Sequence, residues 1–111
     1  MGTSTGTGLA EALLQIRQAA EKLKVYDAGQ VDQLAALVRA HAGVVGDSAH
    51  WPADRAVQRE RIVAQCRSVT DCVERARKYP EMIAARADVL DRSGMLARMI
   101  RDLDGKAGGS R

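Results

Sequence analysis

The sequence predicts an all-α protein, a small antiparallel bundle of three to five amphipathic helices. Three observations carry that expectation. Alanine, leucine and valine supply most of the apolar mass, while phenylalanine is absent and only Trp51, Tyr26 and Tyr79 are aromatic. That composition favours thin, closely packed helices, because alanine and leucine have high helix propensity and strands prefer aromatic and β-branched residues. Apolar residues then recur at alternating spacings of three and four in successive segments, and no segment shows the every-second-residue alternation of a strand.

The first segment runs from about Leu9 to Asp27, with Leu9, Leu13, Ile16, Ala20 and Leu23 on one stripe and Ala12 and Leu14 widening it. Asp27-Ala28-Gly29 ends the pattern, and Gly29 suits the left-handed cap that follows many helices. A second segment spans about Gln30 to Val45 on Val31, Leu34, Val38, His41 and Val45, with Gly46 as its stop. The short connection at Gly29 favours a helical hairpin over one kinked helix. Residues 47–52, ending His50-Trp51-Pro52, read as a loop.

Asp54 is the expected N-cap of a third segment, whose stripe is Ile62, Cys66, Val69, Val73 and Ala76 and whose pattern reaches Tyr79. Proline inside a helix costs roughly 3 kcal/mol, so Pro80 marks a boundary. A fourth stripe follows on Ile83, Ala87 and Leu90, then Leu96, Met99, Ile100 and Leu103. Its phase continues the third through Pro80, so the sequence leaves both a break and a single kinked helix open and favours the break. Ser93-Gly94 is a second weak point. Residues 1–8 and 105–111 are glycine-rich and read as flexible tails, leaving one helical domain over 9–104.

Charge and cysteine usage narrow the function. The net charge of +3 arises in residues 54–79, which carry seven basic and four acidic side chains. The acids are interleaved with the bases, the pattern of a solvated helix face. Cys66 and Cys72, on one helix, are about 9 Å apart along its axis, beyond disulfide reach. Two unpaired thiols fit a reducing compartment, and Cys66 falls on the core stripe. With no signal peptide and no apolar run of about 20 residues, the expectation is a cytoplasmic protein that does not insert into a membrane.

The motif search points away from catalysis and cofactors. His41 and His50 do not pair with the cysteines at zinc-site spacing, and His41 belongs to an apolar stripe as a partly buried, hydrogen-bonded residue. The N-terminal glycines lack the Lys-Ser/Thr ending of a phosphate loop. Carboxylate pairs such as Asp88 and Asp91 read as solvated helix residues, so no catalytic residue, metal site or cofactor is expected.

Three features suggest binding of another protein. The stripes are long for so short a chain, so their margins can form an apolar groove. Met82, Met95 and Met99 gather late in the sequence, where flexible thioethers suit either gap-filling or adaptable surfaces. Trp51, the sole tryptophan, either plugs the open end of the bundle or anchors a partner. Trp51 is thus a candidate partner-binding residue. Arg55, Arg59, Arg67, Arg75, Arg77 and Lys78 form a candidate face for an anionic partner such as DNA.

Taken together, Leu13-Leu14-Gln15-Ile16, the run Asp27-Ala28-Gly29-Gln30-Val31-Asp32-Gln33-Leu34-Ala35-Ala36-Leu37 and Arg59-Glu60-Arg61-Ile62-Val63-Ala64-Gln65 resemble the flagellar type III export chaperones of hook-associated and filament-cap proteins. The likeness covers roughly residues 9–78. It implies a small cytoplasmic all-α chaperone that holds the terminal helical segment of an export substrate, with the apolar stripe residues Val89, Leu96, Met99 and Ile100 of the later helices forming the groove with Trp51. The expected function is therefore a non-catalytic helical adaptor or secretion chaperone. The alternatives are a small DNA-associated regulator, as a homodimer, and a structural oligomer or inhibitor protein.

Overall fold

Five α-helices account for nearly all of the backbone in the computed structural model, which describes residues 3–109, and the side chains of residues 8–103. They are α1 (Thr3–Lys22), α2 (Ala28–Ala40), the short α3 (Ala42–Gly46), α4 (Ala56–Lys78) and α5 (Ile83–Gly109). Two single-turn 3-10 segments, Ser48–His50 and Ala53–Arg55, join α3 to α4. No strand occurs among the described residues.

The four long helices alternate in direction, an up-down-up-down bundle. The Gln65 amide donates to the Arg92 carbonyl, and farther along α4 Arg75 meets the earlier Asp88 of α5, so these helices are antiparallel. The pairs Arg39–Glu74 at 2.6 Å and Arg77–Asp32 at 2.5 Å set α2 antiparallel to α4 in the same way. Helix α1 packs against both α2 and α5. Ile16, Val31, Leu34, Ile62, Val69, Val73, Val89 and Leu96 are sealed from solvent between the helices. Ala12, Ala20, Ala35, Ala76, Ala85 and Ala97 are buried among them, and their small side chains let the helix axes approach closely without aromatic filling.

The elements differ from the sequence expectation in informative ways. Helix α1 ends at Lys22, and Asp27 is the N-cap of α2: its extended backbone turns the carboxylate onto the amide of Gln30 at 3.1 Å. Gly29 therefore lies inside the first turn of α2, and no glycine among the described residues has positive φ. The expected second helix is divided at His41, which caps α2 and precedes α3. Asp54 belongs to a 3-10 turn, and Arg55 occupies the N-cap of α4 without a side-chain cap bond.

Pro80 breaks the chain into two helices, with residues 79–82 between them and the Met82 amide returning to the Tyr79 carbonyl at 2.9 Å. That turn resets the helical phase. Ile83, expected on the core stripe, is 78% exposed, and the buried stripe of α5 is Ala85, Val89, Ser93, Leu96 and Ile100. Ser93-Gly94, expected as a weak point, lies within uninterrupted helix. Helix also continues from the packed stripes to Thr3 and Gly109, into segments expected as tails, because propagation adds one hydrogen bond per residue ordered. Met1, Gly2, Ser110 and Arg111 of those expected tails lie outside the described residues.

Candidate functional site

Two clefts open where the bundle's helices diverge. The first lies between α1 and α5 and encloses about 470 Å³. Leu9 and the adjacent pair Leu13 and Leu14, one turn on, come from α1, and Ile100 and Leu103 face them from α5. Trp51 and Pro52 close one end, with Arg17 and Arg55 at the margin. Burial of Leu13 and 43% exposure of Leu14 give α1 an apolar band wider than its core contact requires.

Trp51 is held in place on both sides. Its ring is buried, and its indole N–H donates to the Val45 carbonyl at 2.8 Å. The loop beneath it is shaped by Asp47, whose carboxylate accepts from the Ala49 amide at 2.9 Å. The Arg55 guanidinium reaches the Leu103 carbonyl at 3.3 Å and ties the start of α4 to α5.

A second cleft of about 390 Å³ separates α2 and α3 from α4. Val38, Ala42 and Val45 form one wall at helical spacing, and Val63 and Cys66 form the other. Arg39, Arg59 and Arg67 stand along it. Arg59 donates to the Gly46 carbonyl at 3.2 Å, where α3 ends.

The predicted groove residues thus divide. Trp51 and Ile100 meet in the first cleft. Met99 is partly buried in a recess of about 80 Å³ between α4 and α5, beside Gln58 and Ile62. Val89 and Leu96 are fully buried core residues, which corrects their assignment to an accessible groove. The turn at Pro80 brings Val89 onto the buried stripe, whereas Leu96 lies on the core stripe that the spacing itself marks. Leu9, Leu13 and Leu14 were legible as one side of α1; the added width from Leu14 was the signal that this side exceeded the core.

The predicted basic face is dispersed. Arg75 and Arg77 point about 160° apart around α4 at 3.6 residues per turn, and each meets a carboxylate, Asp88 at 4.0 Å and Asp32 at 2.5 Å. The Asp32 carboxylate, by accepting from it, raises the Arg77 pKa further. Arg55 and Arg59 are bonded to backbone carbonyls, and the Lys78 ammonium lies 5.9 Å from the centre of the Tyr79 ring. Only Arg59 and Arg67 of the six share a cleft.

The remaining polar groups serve the packing. His41 Nε2 lies 3.0 Å from the Gln15 amide oxygen, joining α2 to α1 as its place on the stripe predicts. Cys66 and Cys72 are buried and unbridged. Burial pushes the Cys66 thiol up to about 11, and burial foremost also raises that of Cys72, so neither is a ready nucleophile. Among the described residues, no group of three His, Cys, Asp or Glu side chains is placed to hold a metal ion, and no helix is long and apolar enough to cross a membrane.

Against known proteins, the chain matches no family model, no curated protein and no solved structure. Its clefts are therefore interpreted from their own chemistry.

Proposed function

We propose that this chain is a non-catalytic helical adaptor that binds a partner helix in the cleft between α1 and α5. The observation that carries the reading is the paired state of Leu13 and Leu14. One anchors α1 in the core while its neighbour stays 43% exposed on the wall of an apolar cleft closed by Trp51. A helix binding there would insert apolar side chains at three-and-four spacing between α1 and α5. In the finer form implied by the resemblance to flagellar export chaperones, the bound helix is the terminal segment of an export substrate and the adaptor keeps it soluble in the cytoplasm.

The test is capture from lysate of the native host, with wild-type protein and a Leu14→Glu variant compared at low and high salt. Leu14 is accessible enough for the variant to keep its fold. A protein held by the wild type at high salt and lost by the variant supports the reading. Equal capture by both sinks it, as does recovery of nucleic acid that high salt removes.

Self-association is a second reading with its own observation. At the bundle end far from Trp51, Val25 in the α1–α2 connection is 71% exposed and Ile83, which follows the half-exposed Tyr79 and Met82 of the α4–α5 connection, is 78% exposed. Sedimentation of the purified chain decides it: a dimer lost in Ile83→Ser supports a homo-oligomer.

A further inference from the structure

The cleft between α2–α3 and α4 carries three arginines where the Trp51 cleft carries two, and unlike that cleft it has no aromatic ring in its lining. Its walls are aliphatic, with Val38 and Val45 opposite Val63, and three guanidinium groups stand along it without a carboxylate in its lining. We propose that this cleft is a second docking site, for an acidic amphipathic helix of another protein.

Size and spacing fit a helix. From Arg59 to Thr70 the α4 wall is about 16 Å long at 1.5 Å per residue, the length of three helical turns. Val38, Ala42 and Val45 descend the opposite wall at spacings of four and three. An entering helix with apolar residues at the same spacing would lay one stripe on these valines and present the flanks of that stripe to the arginines.

Charge complementarity selects an acidic helix. Arg67 is exposed and has no ionic partner among the described residues. Arg39 is held by Glu74 at 2.6 Å, but both side chains are half-exposed, so this ion pair is a weak one that an incoming carboxylate can exchange. Arg59 donates to the Gly46 carbonyl and lies 3.9 Å from the exposed Glu60 carboxylate, a weak pair open to exchange, and its Nε–H is buried without an acceptor. A guanidinium presents planar paired donors that match a carboxylate. The aliphatic walls disfavour a nucleic acid, since no aromatic ring is available there to stack on a base.

The inference is independent of the Trp51 cleft and is tested apart from it. A displayed library of helix-forming peptides about four turns long is selected against the intact chain. The enriched sequences are expected to be acidic, with apolar residues at three-and-four spacing. An Arg39→Glu/Arg67→Glu variant, altered only at exposed positions, is expected to bind them at least about tenfold more weakly and to select basic peptides in their place. A Leu14→Glu variant should bind the acidic peptides as wild type does. Failure to enrich any peptide, enrichment of neutral or basic ones, or acidic peptides indifferent to the arginine changes would overturn the proposal. Loss of binding in Leu14→Glu alone would move the peptide to the Trp51 cleft and overturn it equally. Displacement of the peptide by duplex DNA at low salt would overturn it in favour of a phosphate-binding rim.

Discussion

The indole N–H of Trp51 donates to the carbonyl of Val45 across 2.8 Å, and the two residues line different clefts. Trp51 closes the end of the apolar cleft between α1 and α5, while Val45 forms part of the valine wall beside Arg59 and Arg67. The bond therefore ties the loop after α3 to α3 itself and gives both clefts a common support. Arg59 adds a second tie at the same place by donating to the Gly46 carbonyl.

Trp51→Phe is expected to destabilise the fold by about 1–3 kcal/mol, because it leaves the Val45 carbonyl without the indole donor while keeping most of the buried ring. Urea unfolding of wild type and variant measures the difference. Equal midpoints would show that the bond contributes no net stability.

Asp27→Ala is expected to cost about 1 kcal/mol, the usual contribution of an acidic N-cap. The carboxylate accepts from the Gln30 amide at the start of α2, where the helix would otherwise leave that donor to solvent. Asp27→Asn should retain most of the stability, since an asparagine oxygen can accept the same bond. Thermal unfolding of the two variants separates loss of the cap from a general effect of removing charge.

The stripes of α1, α2 and α4 were readable because burial follows helical period directly: Leu13, Ile16 and Leu23, then Val31, Leu34 and Val38, then Ile62, Val69 and Val73 are all buried. Helix α5 was less readable for a specific reason. Ser93 occupies the centre of its core stripe and is fully buried, whereas Ile83 and Met95 are exposed, so hydrophobicity alone indicates the wrong phase. The Trp51 cleft was half legible, since Trp51 and Ile100 were recognised and Leu14 widened the α1 stripe, but no α1 residue was placed in the groove. The arginine cleft joins Arg39 to Arg59 and Arg67 through tertiary packing, and no local spacing records that approach.

Continuity of α5 through its expected weak point leads to a prediction of increased stability. Gly94→Ala should stabilise the protein by about 0.5–1 kcal/mol, because alanine loses less backbone entropy in a helix. An added Cβ at Gly94 meets no atom within 4 Å, and the backbone there has no positive φ. Urea unfolding checks the sign; a loss of stability would mean that the helix bends or opens at this glycine.

Cys66 supplies a dependence on pH whose sign follows from burial. Its thiol is pushed from the ordinary 9.0 up to about 11 in the fold. The native state therefore retains a proton that the unfolded chain releases, and the stability associated with the neutral thiol is complete below the unfolded value. As pH rises from 9.0 towards 11, that contribution is lost. At 1.36 kcal/mol per unit, the loss approaches about 2–3 kcal/mol. Cys66→Ala removes the titrating group, so its stability should decline less than that of the wild type across the same interval. Urea unfolding of both proteins at several pH values isolates the thiol from the tyrosines and lysines that they share. Parallel declines would show that Cys66 ionises alike in the folded and unfolded chains, whereas a steeper wild-type decline would place its thiol in the low-dielectric packing between α2 and α4.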